Sequence, residues 1–449
     1  MMSFRLSSTL LCLLSATHVY SSASFAQSQF IPKLELNEQY IENNTSVSNE
    51  DGFLTRVSPG FQFTSNSSRS NIMVDYSLDA ITSSGLSQKD EVNHNLTMRD
   101  SFTHIPGRWK TEVSGNVRRA NVSSDGIQQL NPYFSSDNTT ELRTIGANTD
   151  YTGRMAETVW FNLGAGMDYS SYKDGDNSNG YNGVFSVDNN KAHQRLSWQM
   201  DVKTQVSETG SDSQQIDTAH AILDYRISQK LSTFVDVTDV QTDYSDLNEN
   251  VALLGINWTP GKNTRIKLAA GKRGNEDSYS LDSSHKTRKA TWTAKYEETI
   301  TTTRDNTLAQ QSAGSVYAGT VDSLSIIPVL QKYTSIDLLL EGRRSSLRTT
   351  LFQTEREQVN TLPLERINGI RFAFKRQLSS RSSFNIDLLS QHSKATETND
   401  LNEVKMSYQR SLSQKTSLEL SLSKVSQDST NPGSEYDQNV LEVLYSQTF

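Results

Sequence analysis

Seven histidines, one cysteine and 51 acidic residues are the raw material for any catalytic or metal chemistry in this 449-residue chain. The histidines are scattered, and no His-x-x-x-His or His-Glu-x-x-His spacing occurs, so imidazoles are not arranged to hold a metal. The run DGDNSNG (174–180) begins like a calcium loop, but its sixth position is Asn179 and its twelfth is Phe185 rather than a bidentate glutamate. It reads as a solvated loop. Neither a Gly-x-Ser-x-Gly elbow nor a phosphate-binding glycine loop is present. No catalytic residue, metal site or cofactor is expected, and the chain does not read as an enzyme.

What the charged residues do share is a rhythm. In WKTEVSGNVR, Trp109, Thr111, Val113, Gly115 and Val117 oppose Lys110, Glu112, Ser114, Asn116 and Arg118. In TVWFNLGAGMDY, Val159, Phe161, Leu163, Ala165, Met167 and Tyr169 share one side. The same alternation recurs from SNIMVDYSL to SLELSLSK. Strands of about ten residues with one apolar and one polar face have the length that crosses a bilayer when tilted. In the C-terminal third, Ile336, Leu338, Leu340, Leu351, Ile370, Phe372, Leu388, Met406, Leu420 and Leu422 take the lipid parity. Asp337, Glu341, Arg348, Arg356, Arg371, Lys375, Asp387, Lys405 and Glu419 take the opposite one and are expected to line a lumen. Placing Arg or Lys toward lipid near the midplane costs about 2–4 kcal/mol, so sidedness is strongly constrained. Such a wall either imposes a transverse field on permeating solutes or fills the lumen with ion pairs.

The elements that must position these residues are legible in the ends and connections. Residues 1–26 read as a secretory signal, with Arg5, an apolar stretch from Leu10 to Leu14, and small residues at Ser24 and Ala26. Cys12 falls inside it, which leaves the segment from Gln27 to Phe449 without disulfides or thiolate ligands. Without Arg5 the basic count is 42 against 51 acidic residues, a balance that argues against nucleic acid as a partner. Hydrophobic content of 34% is well below that of an ordinary globular domain, as a barrel with a polar lumen allows. Short turns of the form Leu/Ile-Ser-x-x-x-Ser, such as LSSRSS (378–383) and LSQKTS (412–417), alternate with longer polar links. Residues 27–449 are therefore expected to form a single transmembrane antiparallel up-and-down β-barrel, an all-β fold of roughly 18–22 strands, even in number. A strand at Gly180 to Asp188 is left open. So is the character of 299–333, either an irregular strand or a lumenal insertion. Trp109, Trp160, Trp198, Trp258 and Trp292 lie in or beside alternating stretches, which suits an aromatic girdle. The chain closes on LEVLYSQTF, where Leu441, Val443, Tyr445 and Phe449 share one side, the kind of ending that barrel-assembly machinery reads.

Residues 34–80 resemble the start of a family of bacterial outer-membrane β-barrel porins associated with exopolysaccharide and PEP-CTERM systems. The shared elements are Tyr40 before Asn43 and Asn44, the Leu-Thr-Arg-Val-Ser-Pro-Gly run from Leu54 to Gly60, and Asp-Tyr-Ser-Leu from Asp75 to Leu78. The family usually has Thr-Asp-Asn where this chain has Ile-Glu-Asn (41–43). The resemblance implies an integral location in the outer membrane of a Gram-negative bacterium, among lipid and lipopolysaccharide, and contact with polysaccharide-export components. Two functions follow from barrel and resemblance together: a pore for a hydrophilic solute or exopolysaccharide, or a plugged, non-conducting envelope scaffold whose surface loops make the useful contacts.

Overall fold

The computed structural model describes residues 27–449 except 46–48, 89, 122–138, 174–176, 190–194, 244–247, 303, 305–325, 359–364, 395–396 and 432. The expected signal at 1–26 lies outside the described residues. The first strands are β1 (Gln27–Thr45), β2 (Asn49–Asn66), β3 (Ser70–Ser84), β4 (Glu91–Ile105), β5 (Trp109–Asn121), β6 (Thr139–Ala156), β7 (Val159–Tyr172) and β8 (Asn177–Asp188). They continue as β9 (Leu196–Thr209), β10 (Asp212–Ser228), β11 (Leu231–Thr242), β12 (Glu249–Gly261), β13 (Thr264–Arg273), β14 (Glu276–Lys286) and β15 (Ala290–Thr302). The last are β16 (Pro328–Glu341), β17 (Ser345–Gln358), β18 (Glu365–Ser379), β19 (Ser382–Lys394), β20 (Thr398–Ser411), β21 (Thr416–Ser429) and β22 (Tyr436–Thr448). Every strand pairs antiparallel with its neighbours in sequence, and β22 pairs with β1, so the 22-stranded sheet closes. The strand left open at Gly180 to Asp188 is present as β8.

Turn chemistry sets the up-and-down order. Along one rim, the tight-turn rim, Ser or Thr side chains accept from the backbone N–H two residues on. This joins Ser67 to Arg69 (3.3 Å), Ser228 to Lys230 (3.2 Å), Thr287 to Lys289 (3.4 Å), Ser379 to Arg381 (3.1 Å) and Ser413 to Lys415 (3.1 Å). That bond is the physical content of the repeated serine turn in the sequence. The opposite loop rim carries the long links, but not uniformly. Residues 210–211 and 274–275 turn in two residues, using Gly210 (φ 62°) and Gly274 (φ 54°) in the left-handed region that hairpins favour.

The strands are longer than the ten residues expected, reaching 19 in β1 and 18 in β2 and β6. About 9–11 residues cross the hydrocarbon, so the excess carries the wall beyond it. These extensions are where alternation fades in the sequence. Within the wall, burial alternates: in β1, exposed Leu36, Glu38, Tyr40 and Glu42 interleave with buried Asn37, Gln39, Ile41 and Asn43. Outward apolar side chains such as Met200, Leu254, Leu422 and Leu441 are more than half exposed. Buried apolar residues form small inward clusters, among them Ile41, Leu54, Ile81 and Val440, and Leu389, Leu401, Val425 and Tyr436.

Candidate functional site

Two levels divide the inward face. Toward the loop rim it is largely enclosed: Ile41, Leu54 and Leu142 are fully buried, Ile81, Ile367, Leu401 and Val440 are at most 5% exposed, and paired charges such as Arg273 and Arg356 are buried among them. Buried amides, including Asn43, Gln391, Gln427 and Gln438, sit between them and complete a collar. Toward the tight-turn rim the face is polar and wet. Side-chain exposure there is 50% for Lys110, 63% for Arg348, and 43% for both Arg371 and Lys405. Charges left in contact with water avoid the desolvation that enclosure imposes.

The nine charged residues of the C-terminal third fall on this inward face by register. Asp337 is level with Thr350, Thr350 with Arg371, and Arg371 with the buried Leu389. Arg348 is level with Ala373, Ala373 with Asp387, and Asp387 with Lys405. Most of them pair. Arg348 meets Asp337 at 3.1 Å, Arg371 meets Asp387 at 3.4 Å, and Lys405 lies 4.0 Å from Glu442. Arg356 sits higher, only 6% exposed, and pairs with Glu365 at 2.9 Å. Glu341, Lys375 and Glu419 make no ion pair among the described residues. This sector is a largely neutralised wall with a few open charges.

On the far side of the ring, the five strands β7 to β11 carry inward aspartates at Asp168, Asp188, Asp201, Asp224 and Asp236. His220 on β10 bridges two of them, with Nδ1 3.0 Å from Asp201 and Nε2 3.0 Å from Asp236. Asp224 accepts instead from Ser232 (2.9 Å) and Asn257 (2.8 Å), which leave its charge in place. The sector is richer in acid than in base. Sequence pattern had not singled it out, because its aspartates are separated in the chain and meet only through strand pairing.

Arg304, just beyond β15, reaches the upper end of this sector. Its guanidinium pairs with Asp168 on β7 and is only 1% exposed. It lies against Gly180 on β8, where an added Cβ would come within 2.6 Å of Nη1. Because β15 is not a neighbour of β7 or β8 in the sheet, this arginine ties two separate walls together across the interior. Residues 299–302 complete β15 and 328–333 begin β16. Of the stretch between, Arg304, Ile326 and Ile327 are described.

The aromatic girdle needs one correction. Trp109, Trp258 and Trp292 are exposed on the outward face near the tight-turn rim, and Trp198 is level with outward Leu223. Trp160 points inward instead, level with Asp188 and 5.8 Å beneath the Arg154 guanidinium. Its neighbour Phe161 takes the outward parity, so the tryptophan has to face in.

A second inward cluster lies at the seam and was missed in the sequence. Arg56, in the Leu-Thr-Arg-Val-Ser-Pro-Gly run, pairs with Glu35 and Asp79 at 3.2 Å each and donates to Ser58 at 2.5 Å. Asp79 also accepts from Asn95. Beside it, Glu442 on β22 accepts from Asn37 (2.5 Å) and Gln39 (3.1 Å) of β1 and from Ser421 (2.7 Å) of β21. The available signal was parity: Arg56 and Glu442 occupy inward positions of strands already assigned.

Comparison with solved structures places the architecture. The siderophore receptor PirA from Acinetobacter baumannii superposes with a TM-score of 0.51 at 8% identity, over 93% of this chain and 80% of that one. The fold is that of outer-membrane β-barrels. PirA from Pseudomonas aeruginosa gives 0.45 at 10% identity, over 95% and 82% of the two chains. OccAB4 from Acinetobacter baumannii gives 0.37 at 9%, over 94% and 99%. No protein-family model matches the sequence, and no curated protein matches it.

Proposed function

We propose that this chain is a pore in the outer membrane of a Gram-negative bacterium, passing a hydrophilic solute without chemical change. The tight-turn rim, with Phe449 beside it, then faces the periplasm and the loop rim faces the exterior. One observation carries the reading: the lower lumen keeps ionised side chains such as Arg348 and Lys110 half or more exposed, as a water-filled path requires. A barrel filled for scaffolding alone would enclose that level as it encloses the collar. The acid-rich sector around Asp201, Asp224 and Asp236 favours cations or neutral, hydrogen-bonding solutes over small anions. Among such passengers a glycan strand is favoured by the resemblance of residues 34–80 to exopolysaccharide-associated porins. Polysaccharide-export components are then the periplasmic partners, and Leu441, Val443, Tyr445 and Phe449 present the ending for the assembly machinery.

The second reading, a non-conducting envelope scaffold, draws on the enclosed collar and on Arg304. Planar-bilayer recording of the folded protein separates the two. Rare openings in the wild type that become frequent in Arg304→Gln support a gated pore. A correctly folded barrel that stays silent in both supports the scaffold.

A further inference from the structure

The ten connections along the tight-turn rim carry a charge pattern that the lumen does not explain. Nine of them contain Lys or Arg, and the exception, between β6 and β7, holds the only acid, Glu157. The five turns with a serine or threonine bond supply Arg69, Lys230, Lys289, Arg381 and Lys415. The remaining described cations are Arg108, Arg195, Lys262, Arg288, Arg343 and Arg344. All eleven are exposed, and none forms an ion pair among the described residues. In the serine and threonine turns the hydroxyl holds the cation's own backbone N–H, so the turn is fixed while the long side chain stays free. The connections at the loop rim reverse the sign, with acids such as Asp90, Asp243, Glu397 and Glu435 outnumbering bases.

A second, independent observation lies just below this ring. The outward face carries an apolar groove of about 570 Å³ lined by Ile105, Trp109, Tyr151, Leu163 and Ala165. Arg108 stands at its edge: its N–H donates to Ile105 (3.0 Å) and its carbonyl accepts from Thr152 (2.6 Å). A groove for a hydrocarbon chain with an exposed arginine in the turn at its edge matches an anionic phospholipid. We infer that the tight-turn rim is a headgroup ring for anionic phospholipids of the leaflet in which it lies, with a defined acyl-chain groove beneath Arg108. Cations spread around the whole circumference suit an annulus of lipid, whereas a docked protein would use one arc. The inference needs the barrel to lie in a bilayer but not to conduct, so it stands or falls separately from the pore.

The test uses the full-length barrel in phosphatidylcholine vesicles, comparing spin-labelled phosphatidylglycerol with spin-labelled phosphatidylcholine in the motionally restricted shell. Phosphatidylglycerol is expected to be preferred about threefold at low salt, since each surface cation adds to the attraction. The preference should fall toward unity at 1 M salt, where the screening length is about 3 Å. The exposed-turn variant Arg288→Gln/Lys289→Gln/Arg343→Gln/Arg344→Gln should lose about a third of the excess, and Arg108→Gln with Ala165→Trp should remove the slowest-exchanging fraction. Circular dichroism confirms that each variant is folded. Equal occupancy of the two lipids by the wild type, or an unchanged preference in the quadruple variant, overturns the inference. Salt-sensitive retention of soluble polygalacturonate without any lipid preference also overturns it, in favour of an acidic polymer meeting the ring.

Discussion

The two levels of the lumen are built from the same strands by the same alternation, yet one is enclosed and the other is hydrated. Val440 and Glu442, within three residues of β22, mark where the inward partners change from apolar to polar. Both point inward; Val440 packs with Ile41, Leu54 and Ile81, while Glu442 is held by amides and a hydroxyl. Parity therefore decides the face of the wall, and the height on the wall decides the solvent. A residue pattern of period two carries the first and is silent on the second.

Substitutions at matched heights break or sharpen this contrast. The largest effect is expected from Leu54→Ala in the collar, about 2–5 kcal/mol, read as a lower unfolding midpoint in denaturant. A loss no larger than that of Lys110→Ala would mean that the collar is not a packed layer. Next is the pair on β21: Leu420→Arg, on the outward face, should impair insertion by about 2–4 kcal/mol, whereas Glu419→Gln on the inward face should fold normally. Equal tolerance would reverse the assignment of faces. Glu442→Ala leaves the Asn37, Gln39 and Ser421 donors without their acceptor and should cost about 1–3 kcal/mol, measured by loss of heat-resistant mobility on gels. Gly180→Val pushes the Arg304 guanidinium off Asp168, so channel openings in planar-bilayer recording should rise. Smallest is Asp224→Asn at the wet level, expected to lower cation-over-anion permeability by about twofold or less.

Much of the architecture was readable because a bilayer enforces alternation strictly. The outward rows from Ile336 to Leu422 and the even strand number follow from that constraint. The strand at Asn177–Asp188 was harder, since Gly183 interrupts its apolar side and Gly180 its polar side. Gly180 is glycine because a guanidinium from a distant connection occupies the space a side chain would need. Strand lengths were underestimated because residues beyond the hydrocarbon are free to be polar on both faces. The nine charged residues of the C-terminal third were chosen by parity, but their partners depend on which strands adjoin. The acidic sector, the Arg304 tie and the Arg56 cluster were invisible for the same reason. Each gathers residues far apart in the chain, and only the closed ring brings them together.

The joint between first and last strands has one more property. Glu442 stands level with Gln39, flanked by Asn37 and Ile41. Sliding β22 by two places, the smallest error that keeps every side chain on its proper face, sets the carboxylate opposite either fully enclosed Ile41 or Asn37 with Glu35 alongside. One misalignment strands a charge against oil and the other crowds two acids. The final zip of the cylinder thus penalises its nearest wrong alignments on either side.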